Sequence, residues 1–261
     1  MNKLPISVFI ITKNEEDRIA KAINSVIEFA DEILVIDSGS SDKTVEIATD
    51  LGAKVLFKEW QGYGPQKVFG ESECKNDWIL NIDADELLSK ELADEIADIF
   101  SNNRQNQYLG YKIKIVNQFF NEDKPKKFAY YYNQFRLYNK QFSGFKDSIV
   151  HDSVALIDKN NQDKIAQLKN IIAHTSFRSY NHWVEKINSY SQMQALDAFS
   201  KGKNISSIKF LFTPLFAFLK AYLLRRYFIY GVNGIIYSFI YSFGRTLKMA
   251  KIRAIFSKNK K

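Results

Sequence analysis

The chain has 261 residues, 46% hydrophobic and 25% charged, a length that fits one catalytic domain of about 200 residues and an appendage. One cysteine, Cys74, excludes an internal disulfide, and three histidines without a cysteine cluster exclude a zinc site built from several such ligands. The net charge of +8 hides a division, because residues 201–261 hold 13 Lys and Arg and no Asp or Glu, whereas residues 1–200 hold 24 basic against 29 acidic residues.

Residues 6–11 form an unbroken apolar run, the pattern of a strand covered on both faces. The polar loop Thr12, Lys13, Asn14, Glu15 ends it. Apolar residues at 19, 22, 23, 26, 27 and 30 then take the three-and-four spacing of an amphipathic helix. A second strand over 32–36 stops at a loop of small and acidic residues, 37–42, before a helix over about 43–51 that Asp42 can cap. A third strand is predicted at 54–57, a helix at about 66–74 and a fourth strand at 78–82. Strands alternating with helices argue for a parallel sheet, where ligands bind outside the carboxyl ends of the strands. Three polar loops, 12–15, 37–42 and 83–86, fall at three such ends.

The third loop carries Asp83 and Asp85 at the end of a buried strand. Residues two apart on a strand project from one face, so the pair can share a divalent cation and the oxygens of a ligand it carries. A helix cap is the plainer explanation of an acidic pair there. No Gly-x-Gly-x-x-Gly turn and no Gly-x-x-x-x-Gly-Lys-Ser/Thr loop occurs, which argues against a dinucleotide enzyme and a phosphate-loop nucleotidase.

Together VFIITKNE at 8–15, IDSGSSDKT at 36–44 and LNIDADE at 80–86 resemble the nucleotide-site motifs of the inverting family 2 glycosyltransferases. WQGYGPQK at 60–67, with Arg136-Leu137-Tyr138 and Val150-His151-Asp152, is similar to the lipopolysaccharide-core branch of that family, the WaaE-like β-1,4-glucosyltransferases. The resemblance implies a GT-A fold of α/β class, Rossmann-like, with a mainly parallel sheet flanked by helices. It implies that Thr12, Asn14, Glu15 and Asp37 line the uracil and ribose site with Lys67 close by, that Asp83 approaches the ribose and donor sugar, and that Asp85 ligates Mg²⁺ or Mn²⁺ on the diphosphate. Taken singly, Asp37 equally suits a turn residue bonding its own loop, Lys67 a solvated helix face, and Arg136 either a phosphate contact or an ion pair between strands.

Inverting transfer needs a base for the acceptor hydroxyl. Asp152 is the candidate, although the resemblance puts His-Glu where this chain has His151-Asp152, and aspartate is shorter by on the order of 1.5 Å. Asp147 is the alternative, and a polar pair at a strand edge the plainer account. In many GT-A enzymes a histidine beyond the central region completes the metal shell. His174, after the apolar run 171–173, fits that place and also fits a buried histidine bonded to backbone.

The middle of the chain carries a strand-like stretch over 111–120, a charged loop at 121–127, an aromatic run at 128–132 that could stack on sugars or simply pack, and a helix over 180–200. The expected organisation is a catalytic domain at 1–200, with a nucleotide half to about 105 and an acceptor half beyond, and a C-terminal amphipathic helical region at 201–261. Two or three helices broken near Pro214 and Gly231 should lie on an anionic membrane with Arg225, Arg226, Arg245, Lys248 and Lys251 towards lipid phosphates, or else pack as ordinary core. Apolar blocks and the lack of a recognition motif argue against nucleic acid. An N-terminus without a cleavable leader places the protein in the cytoplasm, on the inner face of the membrane. The expectation is therefore a metal-dependent hexosyltransferase using a nucleotide-sugar donor, UDP-glucose foremost, and a lipid-linked lipopolysaccharide inner-core acceptor. Rival readings are a polyprenyl-phosphate sugar transferase and a sugar-nucleotide-binding module without turnover.

Overall fold

The structure, a computed structural model, describes residues 3–146 and 153–258. Asp147, His151 and Asp152 lie outside the described residues. The chain divides into two compact units, one running to Val116 and resuming over Tyr131–His174, the other taking Asn117–Tyr130 and the described residues from Thr175 onward. The division at His174 comes earlier than the boundary expected at residue 200.

In the first unit, β1 (Leu4–Thr12), α1 (Ile19–Asn24), β2 (Ala30–Asp37), α2 (Thr44–Asp50), β3 (Lys54–Phe57), α3 (Tyr63–Ser72) and β4 (Trp78–Asp83) alternate as expected. Then come β5 (Glu86–Leu88), α4 (Lys90–Ser101), β6 (Gly110–Asn117), β7 (Tyr131–Asn139), the antiparallel pair β8 (Ser143–Phe145) and β9 (Val154–Leu156), and β10 (Ile165–His174). Eight strands form one sheet in the order β3-β2-β1-β4-β7-β6-β10-β5. The nucleotide half is parallel, β1 pairing with β2 and β4 and β2 with β3. Antiparallel pairs β4–β7, β6–β7 and β5–β10 carry the sheet onward.

The unbroken apolar strands follow from cover on both faces. Ile6, Val8 and Ile10 enter one core with Val35, Leu80 and Ile82, whereas Phe9 and Ile11 enter another with Leu34, Ile36 and Ile79. Such a strand loses its solvent face entirely, so alternation has nothing to mark. Register brings the strand ends together, with Thr12 opposite Asp37 and Ile11 opposite Asp83.

Boundaries differ where side chains compete with the helix ladder. The helix predicted over 19–30 stops at Asn24, where the Ser25 hydroxyl donates to the Ala22 carbonyl at 2.7 Å and Ala30 already belongs to β2. α3 begins three residues before its predicted start, at Tyr63 after Gly62 with φ 117°, and Pro65 sits in its first turn, where no amide hydrogen is needed.

The second unit holds α5 (Tyr180–Ser200), α6 (Ser207–Leu219) and α7 (Val232–Lys258). The 117–130 segment belongs here because Phe119 stacks on Tyr237 at 3.8 Å and buries beside Trp183, Tyr227 and Tyr230. Pro214 does not break α6, contrary to expectation. Helical backbone runs on as a π-helical stretch over Lys220–Leu224, the chain turns at Arg226 in the left-handed region at φ 58°, and Gly231 at φ 59° precedes α7 as expected. Several tail cations have protein partners. Arg225 lies 4.8 Å from the Tyr130 ring centre and 4.5 Å from that of Tyr241, Arg226 donates to the Phe128 carbonyl, and Lys251 bonds the Asn188 carbonyl at 2.7 Å.

Candidate active site

Three loops meet at the carboxyl ends of β1, β2 and β4. In the first, Thr12 is buried and its carbonyl accepts from the Ser38 amide at 3.1 Å. Asn14, with φ 55°, turns the chain. Its amide donates to Ser40 Oγ at 2.9 Å and its Oδ1 accepts from the Ser41 amide at 2.8 Å. The Glu15 amide donates to Thr44 Oγ1 at 2.7 Å, and its carboxylate takes two hydrogen bonds from the Arg18 guanidinium, each 2.6 Å. Asp37 accepts from the Gly39 and Ser40 amides at 2.8 and 2.9 Å and from the Ser40 hydroxyl. It holds its own turn, and the first two loops brace one another.

Lys67 is not on a solvated face. It is fully buried, with its Nζ 3.0 Å from Asp83 Oδ1 and 5.5 Å from the Phe145 ring centre. Arg136, 2% exposed, makes the ion pair between strands. Its guanidinium donates to Asn81 at 2.6 Å and to Glu86 at 2.7 Å, and stands 3.3 Å from Asp83. Burial pushes the Asp83 carboxyl up, but the Lys67 and Arg136 charges outweigh it and hold Asp83 well below the usual carboxylate range. For Glu86 burial prevails over Arg136, and its affinity for a proton is raised. The Glu86 carboxylate also accepts from the Asp83 amide at 3.0 Å, fixing the turn between the two aspartates.

Asp85 meets His174. The antiparallel register places His174 opposite Glu86, which brings its Nε2 3.4 Å from Asp85 Oδ2. The Tyr132 hydroxyl lies 3.3 Å from Nδ1, a second side-chain contact on the ring. Burial disfavours the imidazolium, but the hydrogen bond and charge of Asp85 outweigh that and raise the His174 pKa. Arg18 reaches within 3.9 Å of the same carboxylate.

Asp85 and His174 fit a divalent cation. Two ligands at right angles on Mn²⁺ or Mg²⁺ stand about 3 Å apart when each bond is about 2.1 Å, close to the separation here. Among the described residues no group of three His, Cys, Asp or Glu could hold a metal, which leaves positions on the ion open to water or a bound diphosphate. That suits an ion carried in with substrate.

Sequence reasoning gave no role to Arg18 or Asn81 and placed Glu86 only as the last residue of a polar loop. Arg18 had a signal in its three-residue spacing from Glu15, and Asn81 in being polar inside an apolar strand. The bond of Glu86 to Arg136 had no local signal.

The model of the Glycosyl transferase family 2 domain matches residues 7–165. An "uncharacterized glycosyltransferase" of Rickettsia bellii is 49% identical over 254 residues, covering 96% of this chain and 86% of that protein. The lipopolysaccharide core biosynthesis glycosyltransferase LpsC of Rhizobium meliloti is 28% identical over 248 residues, covering 90% and 86%. Among solved structures, S. aureus TarS 1-349 superposes with a TM-score of 0.44 at 14% identity, covering 98% of this chain and 91% of that one. The matched span contains all three loops and Arg136, with the Asp83–Glu86 turn near its middle, and the chain belongs to glycosyltransferase family 2.

Proposed function

We propose that this glycosyltransferase moves a hexose, glucose from UDP-glucose, with inversion onto the inner core of a lipopolysaccharide precursor at the cytoplasmic face of a membrane. The observation that supports the reading is the pairing of Asp85 with His174, two residues along from the Asp83–Lys67–Arg136 cluster, so that a cation held there would lie beside two buried positive charges. A nucleotide diphosphate needs that combination when no glycine cradle is present. The similarity to LpsC supports the acceptor class.

In this reading Asp85 and His174 hold Mn²⁺ or Mg²⁺, which when bound neutralises charge on the leaving diphosphate. Asp83, kept ionised by Lys67 and Arg136, accepts hydrogen bonds from ribose or donor-sugar hydroxyls. Thr12 and Glu15 line the base and ribose, and the Asp37 turn fixes their loop. Asp152 removes the acceptor proton as the oxygen attacks, with Asp147 in reserve.

The test is transfer from UDP-glucose to a truncated lipopolysaccharide with Mn²⁺ present, the linkage being read by proton NMR. A β-linked product that vanishes on chelation is expected. An α-linked product, or transfer unchanged by a chelator, would reject the reading.

A further inference from the structure

The second unit leaves uncovered a surface that the transfer chemistry does not use. On α6, Ile208, Leu211, Phe212, Leu215, Phe216 and Leu219 are between 39% and 73% exposed. At 3.6 residues per turn they fall on one stripe about 140° wide, with Lys209 and Lys220 together at one margin. On α7, Val232, Phe239 and Phe243 repeat the pattern at 75%, 62% and 50% exposure. The Phe218 and Phe239 rings, 4.8 Å apart, join the two stripes. Soluble surfaces scatter single apolar residues but do not line them up along two helices.

Along this face runs an open groove of about 430 Å³, walled by Phe212, Phe216 and Met249 and edged by Lys209, Lys220 and Arg245. Burial lowers the Lys248 pKa, and Arg245, Lys203 and Lys209 lower it further against a single opposing carboxylate, Asp197. Residues 201–261 contain no Asp or Glu to neutralise them. An apolar channel with an excess of positive charge at its edge is complementary to an anionic head group on a hydrocarbon chain.

By length and composition Ser207–Leu224 is the one stretch among the described residues apolar enough to cross a membrane, and 11% of it is buried. Crossing does not suit it. Its 18 residues reach about 27 Å even as a straight helix, short of a hydrocarbon core of about 30 Å. Lys209 and Lys220 flank the stripe where an in-plane helix would snorkel them.

We propose that the α6–α7 face seats in the plane of an anionic bilayer and that its groove takes the phosphate head and upper acyl chain of one acidic phospholipid. The inference rests on the membrane placement proposed above and names the surface and the lipid class. The full chain is to be co-sedimented with vesicles of phosphatidylcholine alone and with one-third phosphatidylglycerol, with UDP binding measured in parallel. Binding to the acidic vesicles that weakens with salt is expected. Lys209→Gln with Arg245→Gln should weaken it about thirtyfold, each surface cation being worth roughly fivefold. Phe216→Ser with Phe239→Ser, both exposed and so tolerated by the fold, should abolish it while UDP binding holds. Equal binding to neutral vesicles, variants that bind like the parent, or no vesicle binding with a dimer in the ultracentrifuge would each overturn the inference. Vesicle binding that persists without UDP binding would reject the donor site and leave the lipid site standing.

Discussion

Arg136 shows how tightly the site is balanced. Its guanidinium serves Asn81, Asp83 and Glu86 inside the sheet, where removing one member of a buried charge set costs more than the set contributes. Arg136→Met leaves Glu86 without its cation and Asp83 with Lys67 alone. A loss of about 3–5 kcal/mol is expected from urea unfolding, and adding Glu86→Gln should restore part of it. No loss would mean that Lys67 alone neutralises the turn. The sequence showed Asp83 and Asp85 because acidic residues ending an apolar strand stand out. It left Arg136 undecided because its partners are some fifty residues away, and only the pairing of β4 with β7 decides between phosphate and carboxylate.

Helix placement carries the cation to Asp83. α3 lies close against β1, and a Cβ at Gly70 would stand 2.6 Å from Phe9 Cδ2 and 3.1 Å from Ile36 Cγ1. Gly70→Ala therefore has to lift the helix that bears Lys67. Overpacking of this kind costs about 1–3 kcal/mol, and UDP affinity should fall along with the unfolding midpoint. Affinity unchanged at a lowered midpoint would show that the Lys67–Asp83 contact tolerates the shift. The alternation of strands and helices was legible up to β4 because each apolar run is separated from the next by turn residues. Helix ends were less so, since the Ser25 bond that stops α1 and the early start of α3 at Tyr63 depend on local contacts that periodicity does not encode.

At the scale of the whole molecule, the two compact units part at His174, whereas the charge of the sequence divides at residue 200. α5 packs with α7, and the 117–130 segment joins their unit through Phe119, a contact across more than a hundred residues that no local pattern announces. Tail cations likewise sorted themselves by partner, Arg225 and Lys251 turning to protein while Lys209, Lys220 and Arg245 edge the groove. Both tasks assigned to the first unit, holding a cation and holding a diphosphate, converge on Asp85. Titration calorimetry of UDP with and without Mn²⁺, on the parent chain and on Asp85→Ala, tests them together. The account predicts metal-dependent binding that the variant loses while its unfolding midpoint is kept. Binding of UDP that ignores both the metal and the substitution would contradict it.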